Sequence, residues 1–201
     1  MFGAVVKTYY AEKMGWDPKD IVMVSAIPCT AKKFEVGRQD QNAAGVPDVD
    51  YAITTREVGR MIQKAGINFR ALEDEKFDDP FAIGSGAGAI FGATGGVMEA
   101  ALRYAAEKIL GNKLEKLDFV EVRGTEGIKT ASYKLGDLTV NVAVASSTGM
   151  AKKLLNMVKA GELDVQFIEI MGCPGGCVNG GGQPIQPASV RMNMDLRAVR
   201  A

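Results

Sequence analysis

Two short apolar runs, Ile21–Ile27 and Val165–Ile170, break off directly into loops that carry cysteine. Runs of that length and composition read as strands buried on both faces. Loops leaving strand ends are where an α/β fold places a cofactor crevice. The first loop is IPCTAKKFE, from Ile27 to Glu35; the second is MGCPGGCVNGGGQP, from Met171 to Pro184. Glycine and proline at the density of the second loop are costly unless the backbone must turn sharply and approach something closely. Its exposed amides can donate to anionic ligands. The Cys173-x3-Cys177 spacing lets both sulfurs face one cofactor and is not the Cys-x2-Cys knuckle usual for zinc.

The rest of the chain supplies elements to carry these loops. Residues 2–13 read as a helix, with Phe2, Val5, Val6, Tyr9 and Tyr10 near one face and no N-cap. A short helix is expected from Thr30. It would set Lys32 one turn after Cys29 and Glu35 one turn after Lys32, so that a thiolate, an ammonium and a carboxylate line up along one side. Residues 36–52 are polar and irregular. Thr54–Thr55 cap a helix running to about Ala65. Gly84–Gly111 is glycine-rich in its first half and helical in its second. Asp118–Arg123, Ile128–Leu135 and Leu138–Ala145 read as strands, with Gly136–Asp137 a hairpin turn. A helix follows from Thr148 to about Ala160, and residues 188–201 look helical. Alternating strands and helices argue for an α/β fold, in two lobes of mixed and parallel sheet flanked by helices.

Composition narrows the chemistry. Three cysteines, two of them four positions apart, make a poor disulfide framework. The chain has no histidine, which removes the commonest general base and metal ligand together. A metal would be held by thiolate, favouring iron–sulfur or zinc. The opening MFGAVVKTYYAEKMG has no signal-peptide layout, so a reducing cytoplasm is the expected compartment. Basic and acidic residues balance at 24 each, giving no reason to expect nucleic acid. The apolar runs fall short of the roughly 20 residues that span a bilayer, so no membrane partner is expected. Singly, these features have plainer readings. A lone cysteine at a strand end is usually a small apolar residue, Lys32–Glu35 a surface ion pair, and Met171 core. The GATGG segment, Gly92–Gly96, would commonly be a phosphate loop. A nucleotide binder with incidental cysteines is therefore one alternative.

Taken together, IPCTAKKFE, FDDPFAIGSGAGAIFGATGGVMEAALR and IEIMGCPGGCVNGGGQP closely resemble the catalytic domain of iron-only (FeFe) hydrogenases. The first and last resemble that family's second and third signature motifs. The resemblance covers essentially all of residues 1–201, read as part of such a domain. It implies a metal site in the crevice between two lobes. That site is the H-cluster: a 4Fe-4S cubane linked to a two-iron subcluster bearing CO, CN and azadithiolate. The implied reaction is the reversible formation of hydrogen from two protons and two electrons, in an anaerobic hydrogen metabolism.

Carried over residue by residue, the resemblance makes Cys29, Cys173 and Cys177 cubane ligands, with Cys177 also bridging to the two-iron centre. Lys32 would hydrogen-bond a cyanide. Glu35 matches a member of the proton relay. Met171 would pack on the bridging ligands, and Pro28, Phe91, Gly92 and Val97 would line the same pocket. The family's first motif, of Thr-Ser-Cys-Cys-Pro type, is absent; it is expected upstream of Met1 and supplies the fourth cubane cysteine. Ile27 stands where the family usually has methionine, and the last helix stops early, so both ends read as those of a fragment. The implied partners are ferredoxin or another electron carrier, maturation proteins, and the upstream segment or an accessory subunit. A hydrogenase-like iron–sulfur protein of cluster assembly or hydrogen sensing is the other alternative.

Overall fold

The computed structural model describes residues 1–78, 80–81, 86–111 and 127–193. The chain forms two compact units, Met1–Glu75 with Gly180–Ile185, and Lys76–Asn179 with Gln186–Ala201.

The first unit opens with one continuous helical run: α1 (Phe2–Val5), a π turn over Val6–Tyr10, and α2 (Ala11–Met14). Gly15, at φ 69°, ends it, and the Trp16 amide turns back to the Ala11 carbonyl at 2.9 Å. The buried stripe is not the aromatic one. Gly3, Lys7 and Ala11, four residues apart, face inward, while Phe2, Val5 and Tyr9 are exposed. The Lys7 ammonium donates to the Pro47 carbonyl and to Asp50, each at 2.7 Å. A Cβ on Gly3 would lie 2.1 Å from the Asp48 carbonyl oxygen. The helix therefore grips the irregular 41–50 loop through a charge and a bare backbone rather than through an apolar face.

β1 (Val24–Ile27) lies parallel to β2 (Tyr51–Thr54), in register from Val24↔Tyr51 to Ile27↔Thr54, and α3 (Lys32–Glu35) lies on the connection. β2 falls at the end of a stretch whose polarity reads as loop, and four residues are too few to show an alternating pattern. β1 alternates exposed and half-buried residues, so it is not buried on both faces. It has β2 as its one described neighbour. Thr54 then caps α4 (Thr55–Lys64) as read from the sequence, in a full capping box with Glu57.

The second unit holds α5 (Ala87–Ile90), α6 (Gly96–Leu110), β3 (Ile128–Leu135), β4 (Leu138–Ser146), α7 (Thr148–Lys159), β5 (Phe167–Met171) and α8 (Ala188–Asn193). β3 and β4 form the expected antiparallel hairpin, turning at Gly136 with φ 63°. β5 joins β4 in parallel, giving the order β3-β4-β5. β4 is the strand buried on both faces. Val142 and Val144 meet Met98 and Leu102 of α6, while Ala143 and Ala145 meet Ala151 and Leu154 of α7. β5 buries Glu169 and Met171 but leaves Ile170 46% exposed, because it edges the described sheet. Mixed and parallel sheets flanked by helices are the α/β architecture expected. The strand expected at 118–123 and the last helix beyond Asn193 lie outside the described residues. Among the described residues no helix is long and apolar enough to cross a membrane.

Candidate metal centre

The cysteines divide between the units, Cys29 in the first and Cys173 and Cys177 in the second. All three are half-buried and none is in a disulfide.

In the first unit, β1 stops at Ile27 because Pro28 cannot donate to a ladder. The Pro28 carbonyl instead accepts the Gly182 amide at 3.1 Å, and the Gly182 carbonyl accepts the Arg56 amide at 3.2 Å. A Cβ on Gly182 would come within 2.9 Å of the Cys29 nitrogen. The strap Gly180–Ile185 thus lies on the Pro28–Cys29 turn and the start of α4. On α3, Lys32 and Glu35 form an ion pair, as in the plainer reading of the two, with each side chain more than a third exposed. They line a cavity of about 310 Å³ with Ser25, Gln41 and Asp48 and with the apolar Phe2, Met23 and Val49. The neighbouring Lys33 has a structural job. Its ammonium donates to the Ala52 carbonyl at 3.0 Å and pairs with Glu57 at 2.9 Å. The Thr54 amide, then Lys33 and the Thr54 hydroxyl, hold the Glu57 carboxyl down to about 2.

In the second unit the Cys173–Cys177 loop folds back on the GATGG turn. Its centre needs glycine: Gly175 has φ 81° and Gly176 φ 110°. A Cβ on Gly176 would lie 2.5 Å from the Gly92 oxygen and 2.7 Å from the Thr94 nitrogen. The Thr94 amide donates to the Gly175 carbonyl at 3.2 Å, and the Val178 amide to Gly92 at 2.9 Å. From the other side, the buried Ser146 hydroxyl accepts the Gly175 amide at 3.0 Å and the Thr94 hydroxyl at 3.4 Å. Met171, 8% exposed, ends β5 opposite Ser146, and its carbonyl accepts the amide of Ser147 at 2.8 Å. Ser147 has φ 88°, a strained value for a residue with a side chain.

The GATGG turn is no phosphate loop. The amides of Gly95 and Met98, which would greet an anion at the start of α6, donate to the Glu169 carboxylate at 2.5 and 2.6 Å. Glu169 is a buried anion supplied by β5 itself, and it complements the helix dipole. Gly92 is packed under Val178, whose side chain a Cβ there would meet at 2.8 Å. Val97 is half-buried on the first turn of α6, and Phe91 is 41% exposed at the end of α5.

The donor chemistry fits an iron–sulfur group: three thiols and no imidazole anywhere in the chain. Among the described residues, no three Cys, Asp or Glu side chains converge as a single metal ion would require. Sequence reasoning passed over Ser146, Thr94 and Glu169. A lone carboxylate in the apolar strand FIEIM was the signal for Glu169; the two hydroxyls carried none.

Residues 1–181 match the family model described as "Iron only hydrogenase large subunit, C-terminal domain". The chain is 49% identical over 187 residues to the "Periplasmic [Fe] hydrogenase large subunit" of Nitratidesulfovibrio vulgaris, covering 93% of this chain and 44% of that protein. It is 47% identical over 192 residues to the "NADP-reducing hydrogenase subunit HndD" of Solidesulfovibrio fructosivorans, covering 96% and 33%. A solved structure of a variant of the [FeFe]-hydrogenase HydA1 from Chlamydomonas reinhardtii superposes with a TM-score of 0.72 at 40% identity, covering 98% of this chain and 56% of that one. The chain thus spans well under two thirds of the length of the proteins it matches. It belongs to the iron-only hydrogenase family, in the C-terminal domain of the large subunit.

Proposed function

We propose that this chain is the portion of an iron-only hydrogenase that holds most of its catalytic cluster, in a protein that interconverts hydrogen with protons and electrons. The observation that carries the reading is the set of three thiols outside any disulfide, with Lys32 and Glu35 on the short helix one turn after Cys29. Cys29, Cys173 and Cys177 would hold the 4Fe-4S part of the cluster, with Cys177 the cysteine that would also serve the two-iron part. When bound, the H-cluster supplies the redox chemistry and the site where hydrogen forms. Three cysteines leave one cubane ligand to come from outside residues 1–201. Lys32 has three donors, and its bond to Glu35 uses one, leaving two for an anionic ligand such as cyanide. Glu35, facing a cavity large enough for several waters, takes up and passes on protons. Met171, Phe91, Val97, Pro28 and Gly92 shape and dry the surroundings. An electron carrier of ferredoxin type and dedicated maturation proteins are the proposed partners. The cytoplasm is the proposed compartment; one relative is named periplasmic, so fractionation is the check.

The test is anaerobic reconstitution of the complete polypeptide with iron and sulfide, then with a synthetic two-iron mimic. Iron content, carbonyl and cyanide infrared bands, and hydrogen evolution are read. Absence of any cluster sinks the proposal. Glu35→Gln should slow turnover with the infrared bands nearly unmoved; an unchanged rate removes Glu35 from proton transfer. A role in cluster assembly or hydrogen sensing predicts a cubane without those bands or without hydrogen evolution.

A further inference from the structure

We infer that Ser146 is a positioning residue for the cluster thiolates: it acts on Cys173 and Cys177 by holding the peptide midway between them. The inference rests on the cluster-binding reading above.

Gly175 is the middle residue of the Cys-x3-Cys loop, and its peptide groups are held from two directions. Its amide donates to the Ser146 hydroxyl at 3.0 Å, and its carbonyl accepts the Thr94 amide at 3.2 Å. Ser146 and Thr94 are 4% and 2% exposed, so both lie away from bulk solvent. The Thr94 hydroxyl lies 3.4 Å from the Ser146 oxygen, which orients the serine and leaves it an acceptor toward Gly175. Ser146 is itself fixed. It is the last residue of the strand buried on both faces, paired in register with Met171, and its amide is bound to the Gly127 carbonyl at 2.8 Å. Gly175 and Gly176 have no side chains and Pro174 has no side-chain donor or acceptor, so the three residues between the cysteines cannot anchor the loop through a side-chain hydrogen bond of their own. The hydroxyl on β4 supplies the side-chain acceptor for the Gly175 amide, beside the backbone bonds of Gly176 to Cys173 and of Thr94 to Gly175. Without it, the Gly175 amide becomes an unpaired buried donor. The loop would relieve that by turning the amide elsewhere, and the thiolates on either side would turn with it.

The test compares Ser146→Ala, Ser146→Thr and Thr94→Val in the complete polypeptide, reconstituted anaerobically with iron and sulfide. Loss of cluster iron to a chelator and the electron paramagnetic resonance spectrum of the reduced cluster are measured beside the melting temperature. Ser146→Ala should lose iron about tenfold faster, the factor set by about 1.4 kcal/mol, and should shift or broaden the spectrum. Thr94→Val should change both less and in the same direction. Ser146→Thr, which keeps the hydroxyl, should restore the wild-type spectrum. Ser132→Ala, an exposed serine on β3, should change nothing. A Ser146→Ala protein that melts lower yet keeps wild-type iron loss and spectrum overturns the inference and leaves cluster binding standing. A wild-type protein that takes up no cluster overturns both.

Discussion

Replacing Lys7 with methionine tests how the first unit is held together. Lys7 is 1% exposed, and its ammonium meets Asp50 and the Pro47 carbonyl at 2.7 Å each. Methionine keeps much of the apolar stem and removes the charge. Asp50 then keeps the Met23 amide, which donates to it at 2.6 Å. Breaking a buried ion pair from one side costs about 3–5 kcal/mol. Asp50 retains 24% side-chain exposure, which argues for the low end, about 3 kcal/mol. Trp16, the sole tryptophan, packs edge-on against Tyr10 at 5.7 Å in the same helical segment, so its fluorescence reports this unit. With a urea slope of about 1.5 kcal/mol per molar, the Lys7→Met midpoint should fall by about 2 M at pH 7. The pH dependence has a definite sign. Burial pushes the Asp50 carboxyl up, but Lys7 and the Met23 amide outweigh it and hold it below the usual range. In the wild type that contribution is complete above the unfolded carboxylate value and is lost as pH falls through the lowered one. In Lys7→Met burial is opposed by less, so the folded carboxyl takes up its proton at higher pH. The gap between the two proteins should therefore narrow from pH 7 to about 4.5. A midpoint shift below about 0.5 M at pH 7, or a gap that widens on acidification, refutes the reasoning.

Glu169→Gln should destabilise the second unit by about 2 kcal/mol, because the amide replaces one charge-assisted bond with an opposed donor. Hydrogen exchange at the Gly95 and Met98 amides should speed up, and unchanged protection would count against Glu169 as the helix anchor. Glu57, held to about 2, stabilises fully above the ordinary glutamate value and loses that contribution as pH falls toward 2. Glu57→Gln should accordingly flatten the acid-unfolding curve below about pH 5, measured by circular dichroism. Gly176→Ala, with its Cβ 2.5 Å from the Gly92 oxygen, should lose cluster iron. Gly88→Ala, open to space within α5, should match wild type in iron content per chain.

What the sequence made legible was what depends on neighbours along the chain. The Gly136 hairpin, the Thr54 cap of α4 and the plain Lys32–Glu35 ion pair each join residues close along the chain, and all three are present. Burial was less legible because it depends on who lies opposite. Ile21–Ile27 is more apolar than Leu138–Ser146, yet β4 is the buried strand, since α6 and α7 cover its two faces. Lys7 reads as a surface residue until Asp50, 43 positions away, is placed beside it. Ser146 and Thr94, 52 positions apart, are ordinary hydroxyls in the sequence and become a pair only in the fold.

The glycines of the second cysteine loop illustrate how a correct motif can rest on a partly wrong reason. Their density implied a backbone brought close to something, and a cofactor was the natural candidate. The structure gives closer neighbours. Gly176 meets the backbone of Gly92, Ala93 and Thr94 within 2.8 Å of where its Cβ would sit, and Gly182 meets Pro28 and Cys29 within 2.9 Å. Both glycines are required by protein backbone, whether or not a cluster is bound. They are therefore not independent evidence for iron and sulfide. What they do is let the thiol-bearing backbone pack closely on other backbone, one turn on Gly92–Thr94 and the other, Pro28–Cys29, under Gly182. A site built this way should hold its loop shape in the apo-protein. Hydrogen exchange of the Gly175, Gly176 and Val178 amides should then be slow without cluster and change little on reconstitution. Amides that become protected only when the cluster binds would return the glycines to the cofactor.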